Sequence, residues 1–182
     1  MEVARRRITG DDAKRARARM MITMVAAAAV TAAVGAHRQD PVAPAKVPTV
    51  LFMCPHGAAK SVLASAYFEQ LAKERGLNVR VESGGTDPDP TVAPAVAAHL
   101  KQHGYPVRAG VPRKVTPTAF ESADLVISLG CDLSGLPERR GRLERWDDVP
   151  APSEDFARAD QAIRKRVTAL IEELVRSAPR KK

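Results

Sequence analysis

From residue 47 onward, short apolar runs alternate with longer stretches in which apolar residues recur every three or four positions. Val50-Leu51-Phe52-Met53 has no polar interruption, the pattern of a strand buried on both faces, so a strand is predicted over 49–53. Residues 61–75 place Val62, Leu63, Ala66, Tyr67 and Leu71 along one side and stop before Gly76, which predicts a helix. Residues 79–83 alternate as a second strand, and the Gly84-Gly85-Thr86-Asp87-Pro88-Asp89-Pro90 stretch is turn chemistry. A helix is predicted over 91–103, with Pro94 tolerated in its first turn. Thr116-Pro117 reads as an N-cap and first helical residue, opening a short helix through Ser122. Residues 124–129 form a third apolar strand ending at Gly130-Cys131, and 142–146 a fourth. Ser153 is predicted to cap a long helix, with Glu154 and Asp155 complementing the dipole and Phe156, Ile163, Val167, Leu170, Ile171 and Leu174 in one stripe. Strands alternating with helices predict an α/β fold with a parallel sheet.

Charge changes the picture of the N-terminus more than that of the domain. Lys and Arg number 29 against 21 Asp and Glu, but residues 1–46 alone hold 9 basic and 4 acidic side chains. The excess therefore belongs mainly to a leader, and with 4% aromatic content there are few rings for base stacking, so a nucleic-acid partner is not expected. Residues 1–36 combine Arg5-Arg6-Arg7, a second basic cluster, an apolar alanine-rich run from Met20 and small residues at Val34-Gly35-Ala36. These are the parts of an export signal, which would place the domain in the periplasm or outside the cell. A start codon assigned too early would leave it cytoplasmic, and a membrane partner follows only if the leader stays uncleaved. Residues 37–48, with Pro41, Pro44 and Pro48, read as a linker, 49–177 as the folded domain and 178–182 as a basic tail.

The chemistry concentrates where the first strand turns into the first helix. Cys54 is followed by Pro55-His56-Gly57-Ala58-Ala59-Lys60-Ser61. A loop entering a helix presents unpaired N–H groups and the positive end of the dipole, which bind anions and stabilise a thiolate. Small side chains at Gly57, Ala58 and Ala59 let those groups converge, Lys60 adds a charge, and the Ser61 hydroxyl can donate to the sulfur. The alternative is a buried structural thiol at a strand end.

Cys54, five residues, a cation and then Ser61 resembles the phosphate-binding loop of the low-molecular-weight protein tyrosine phosphatases and the related thioredoxin-linked arsenate reductases. Ser83-Gly84-Gly85-Thr86 resembles the family's Ser-x-Gly-Thr turn, and Trp146-Asp147 the approach to its acid loop. The resemblance implies a four-stranded parallel sheet flanked by helices, with the ligand at the carboxyl ends of the strands. It implies Cys54 as nucleophile, His56, Gly57, Ala58, Ala59 and Lys60 around the oxyanion, and phosphate, arsenate or a phosphorylated substrate as partner. The sequence departs from the family at four places. Lys60 stands where the family has arginine, Gly57 where it has a bracing asparagine, Pro55 removes one backbone donor from the cradle, and Ala151 stands where an Asp-Pro pair supplies the acid. Asp147 or Asp148 could substitute for that acid, the alternative being solvated turn carboxylates.

Cys131 is the only other cysteine, and 133–137, where the relay's last thiol is expected, holds no sulfur. A self-contained relay is thus disfavoured, while a reductase completed by an external thiol stays open. His99 and His103, one turn apart, are read as helix surface, with no metal or cofactor implied. Three functions compete: a cysteine-dependent phosphatase with weakened catalysis, an arsenate-reductase-like enzyme using an external thiol, and a non-catalytic oxyanion-binding module.

Overall fold

The computed structural model describes residues 46–106, 111–139 and 141–178. The leader and nearly all of the proline-rich linker lie outside these residues. Strands β1 (Thr49–Cys54), β2 (Arg80–Gly85), β3 (Leu125–Ser128) and β4 (Arg142–Arg145) form one sheet in the order β2-β1-β3-β4, every pairing parallel. Helices α1 (Lys60–Glu74), α2 (Pro94–Gln102), α3 (Pro117–Ser122) and α4 (Phe156–Ser177) complete the order.

The uninterrupted apolar run becomes the strand with neighbours on both edges. Val50 to Cys54 are all buried. Successive side chains of β1 go to opposite faces, as strand geometry requires. Val50, Phe52 and Cys54 join the core made with α1 and α4, through Leu63, Tyr67, Phe68, Ile163 and Val167. Leu51 and Met53 join a smaller core on the other face, with Phe120, Ala123, Val126 and Cys131. Parallel register pairs Met53 with Gly84 and Ser128, and Ser128 with Arg145. The carboxyl ends of all four strands therefore share one edge of the sheet, where Cys54, Gly85, Gly130 and Trp146 emerge.

Element ends follow local chemistry. Thr116 accepts from the Ala119 N–H and Pro117 opens α3. Helices α1 and α2 each close in a Schellman turn, with Leu77 N–H on Ala72 O and Tyr105 N–H on Leu100 O. Three boundaries differ from expectation by more than one residue. Strand β2 runs on through Gly84 and Gly85, expected as turn, because they pair with Met53 and Cys54 of β1. The second helix begins at Pro94 and not at residue 91, because the preceding segment makes its hydrogen bonds to the loop after β1. The cap of α4 is Asp155, whose carboxylate accepts the Arg158 N–H at 3.0 Å. Ser153 lies in a turn in which Glu154 and Asp155 donate to Ala151 O, one step too early to cap.

Candidate active site

Cys54 closes β1 with 3% of its surface exposed, and its Sγ lies 3.2 Å from the Oγ of the fully buried Ser61. Between them the chain makes a loop whose carbonyls are held outward. The segment after β2 supplies the donors: Asp87 N–H to Pro55 O at 2.9 Å, Asp89 N–H to His56 O at 3.0 Å and Ala93 N–H to Ala58 O at 3.0 Å. A peptide's N–H points opposite its C=O. Fixing the Pro55 and Ala58 carbonyls outward thus aims the N–H groups of His56 and Ala59 toward the inside of the loop.

Helix α1 adds to this cradle. Its N-cap, Ala59, has no side-chain acceptor, and its first intrahelical-type bond runs from Leu63 N–H to Ala59 O. The N–H groups of Lys60, Ser61 and Val62 precede that bond, so the helix offers orphan donors and the positive end of its dipole beside Cys54. An oxyanion is the chemical complement of such an end.

Two glycines make the loop's path possible. Gly57 sits at φ 60°, and a β-carbon there would fall 2.7 Å from Gly85 N and 2.8 Å from Gly84 C. A β-carbon on Gly85 would fall 2.5 Å from Gly57 N. The loop backbone rests directly on the end of β2, with no room for a side chain at either position.

Lys60 reaches sideways. Its Nζ donates to Val149 O at 3.2 Å and passes 3.2 Å from the space a β-carbon on Gly130 would occupy. The loop cation therefore ties α1 to the turn following β4. The neighbouring carboxylates are engaged: Asp147 accepts from Gly130 N–H at 3.1 Å and pairs with Arg145 at 2.7 Å. Asp148, with 72% of its side chain exposed, pairs with Arg166 at 2.5 Å. Ala151 presents only its carbonyl, to the turn before α4.

Cys131 is 2% exposed and unpaired. Burial pushes its thiol up to about 11, with Ser128 and Lys60 opposing and Cys54 and Asp147 reinforcing the shift. His56 is mostly exposed, its Nδ1 3.4 Å from Asp89 Oδ1. The structure thus brings together Cys54, Ser61, Lys60 and the small loop residues, and turns Asp148 away toward Arg166.

His99 is not helix surface. Its Nε2 lies 3.0 Å from Tyr67 Oη and 3.2 Å from Arg164, and its ring packs on Phe156 and His103. Tyr67 also donates to Asp160, and Arg164 to Asp160 and Tyr105, so one polar network joins α1, α2 and α4. The sequence carried a signal for it, since His99 follows the buried Val96 by three positions and falls on the same helical face.

A family model described as "Low molecular weight phosphotyrosine protein phosphatase" matches residues 49–180, most of the chain. The chain belongs to this family. Among similar proteins, one of Halobacterium salinarum named "Putative arsenate reductase" is 29% identical over 97 residues, 52% of this chain and 68% of that protein. The protein-arginine-phosphatase of Bacillus subtilis is 34% identical over 83 residues, 44% of this chain and 54% of the relative, so the match spans about half of that protein. The crystal structure of YfkJ from Bacillus subtilis shares the fold, with a TM-score of 0.67 at 19% identity over 75% of this chain and all of the other. Open α/β sheets bind ligands outside the carboxyl ends of their strands, and the Cys54 loop stands at that edge here.

Proposed function

We propose that Cys54 is the nucleophile of phosphatase-type oxyanion chemistry, attacking phosphorus to give a phospho-thiol intermediate that water then hydrolyses. The observation that carries this reading is the placement of Cys54 Sγ, 3.2 Å from Ser61 Oγ, beside the uncapped first turn of α1. The N–H groups there stabilise the anion, and the Ser61 hydroxyl supports the thiolate as nucleophile and as leaving group. Lys60 supplies the cation after its ammonium leaves Val149 O. Without a family acid at Ala151, activity is weak on esters with poor leaving groups.

All seven aromatic side chains of the chain pack elsewhere. Phe52, Tyr67, Phe68, Phe120 and Trp146 are buried, Tyr105 packs on Tyr67, and Phe156 packs on His99. A substrate's aryl ring finds no ring to stack on, which favours recognition through the phosphoryl group alone. The test is hydrolysis of p-nitrophenyl phosphate by reduced protein beside a Cys54→Ser variant. Turnover abolished by the substitution is expected; turnover that survives it removes Cys54 from the chemistry.

The vacant acid position favours a second reading, arsenate reduction with an external thiol, in line with the name of the Halobacterium relative. Cys54 would displace water from arsenate; the external thiol would then attack Sγ, leaving the As–S electron pair on arsenic as arsenite and forming a mixed disulfide. Cys131 is the only other cysteine of the chain and 133–137 holds no sulfur, so the thiol that completes the cycle is external. Glutathione-dependent arsenite release separates this reading from the first.

A further inference from the structure

Lys60 opens α1 directly after the Cys54 loop, yet its ammonium is engaged by a different part of the chain. Nζ donates to Val149 O at 3.2 Å in a part-buried contact beside Gly130. Val149 is 2% exposed, and its N–H donates to Trp146 O at 3.3 Å, closing the turn after β4. The other side-chain contacts on residues 147–149 lie at the surface: Arg145 with Asp147, Arg166 with Asp148, and the Gly130 N–H with Asp147. Exposed ion pairs of this kind hold little. Lys60 thus gives the turn its shielded polar fastening, and that fastening comes from the helix that starts at the Cys54 loop.

We propose that Lys60 is a latch between the oxyanion site and this turn: an oxyanion held at the Cys54 loop takes the ammonium from Val149 O, and the turn over 146–149 loosens. The proposal rests on the Cys54 loop being an anion site. An oxyanion carries full charge where a carbonyl offers only a dipole, so in a partly dry site the anion wins the ammonium. Val149 O takes it back once the anion leaves, which makes the carbonyl a built-in competitor that favours release of product. Lysine suits this exchange, because its single charge rides on a flexible four-carbon stem. Only hydrogen bonds change. The chain also carries a reporter: Trp146, its sole tryptophan, is 3% exposed, with its ring 6.2 Å from that of Phe52 and the Arg166 guanidinium 5.7 Å away.

The experiment follows backbone hydrogen exchange over 146–152 and Trp146 fluorescence in the full reduced chain, with and without inorganic phosphate, beside the variant Lys60→Met. Protection of Cys54 from iodoacetamide shows separately whether phosphate is bound. Losing one hydrogen bond of this kind shifts a local opening equilibrium by roughly three- to tenfold, so saturating phosphate should speed exchange of the Val149 N–H by about that factor and shift the Trp146 emission. A bound ligand ordinarily stabilises the fold and slows exchange, which makes the sign diagnostic. In Lys60→Met the Val149 N–H should exchange fast without phosphate; where that variant does not fold, the comparison in the unsubstituted protein decides alone. Cys54 protected by phosphate, with exchange over 146–152 unchanged or slowed, overturns the proposal and leaves the anion site standing. Folded Lys60→Met with the exchange of the unsubstituted protein also overturns it. No protection of Cys54 by phosphate overturns the anion-site reading and this proposal together.

Discussion

Gly85→Ala is a small change with a large expected effect, because the loop lies on the end of β2. The added β-carbon would sit 2.5 Å from Gly57 N and 2.7 Å from both His56 C and Pro55 O. All three are backbone atoms, so no rotamer change relieves the contact. Carbon prefers neighbours at about 3.5–4.0 Å, so the loop must retreat by roughly 1 Å. Overpacking of this kind costs about 1–3 kcal/mol. In a domain of this size each kcal/mol lowers Tm by about 2–4 °C, giving an expected fall of roughly 2–12 °C. The functional loss is larger in proportion, since a 1 Å misplacement of a reacting group costs about 10²-fold in rate. Calorimetry gives the Tm, and protection of Cys54 from iodoacetamide by added phosphate reports the cradle. Wild-type Tm together with wild-type protection in Gly85→Ala would refute the close-approach reasoning.

Other substitutions probe separate links. Lys60→Arg restores a two-pronged oxyanion clamp and should raise p-nitrophenyl phosphate turnover about tenfold or more; an unchanged or lower rate means residue 60 is not the clamp. Burial holds His99 below its ordinary value, against the opposing pull of Asp160, so the unfolded chain takes up that proton first as pH falls. The stability this supplies is complete above about pH 6.5 and is lost as pH drops through the lower folded-state value, so His99→Gln should flatten the fall of Tm between pH 7 and 5. Asp155→Ala should cost about 1 kcal/mol by removing the α4 cap, whereas Ser153→Ala should stay within about 0.5 kcal/mol; equal effects in thermal melts would contradict the observed cap.

Much of this architecture was legible because it rests on periodicity and local caps. The uninterrupted apolar run at residues 50–53 suits a central strand, and Thr116-Pro117 announces α3 by itself. The α4 cap was misplaced because Ser153 and Asp155 are both good caps, and the turn at Ala151 that decides between them is set by the chain's path. The contact between Cys54 and Ser61 followed from spacing, since strand, loop and helix are contiguous. The His56–Asp89 and Lys60–Val149 contacts were not, because each joins segments distant in sequence across the sheet's edge. His99 was misread for the same reason: two of its partners, Tyr67 and Arg164, come from other helices.

On the proposed chemistry, Gly57, Lys60 and Ala151, expected from the sequence as departures from the family pattern, act on different parts of the reaction free energy. Gly57 removes a bracing side chain, but the Gly57–Gly85 contact and the three hydrogen bonds from 87–93 hold the loop carbonyls in its place. On the proposed chemistry these contacts keep preorganised the backbone donors that would bind substrate and transition state alike. Lys60 instead meets a competition: its ammonium must give up the 3.2 Å hydrogen bond to Val149 O before it can serve an anion, an exchange that forfeits about 0.5–1.5 kcal/mol. Because that carbonyl belongs to the turn after β4, anion binding and the position of residues 146–152 draw on the same charge. Loss of the arginine fork and of the family acid falls on the transition state, where charge on the leaving oxygen develops. On the proposed chemistry, this chain should hold an oxyanion nearly as well as a family member with arginine and aspartate at these positions, and turn it over more slowly.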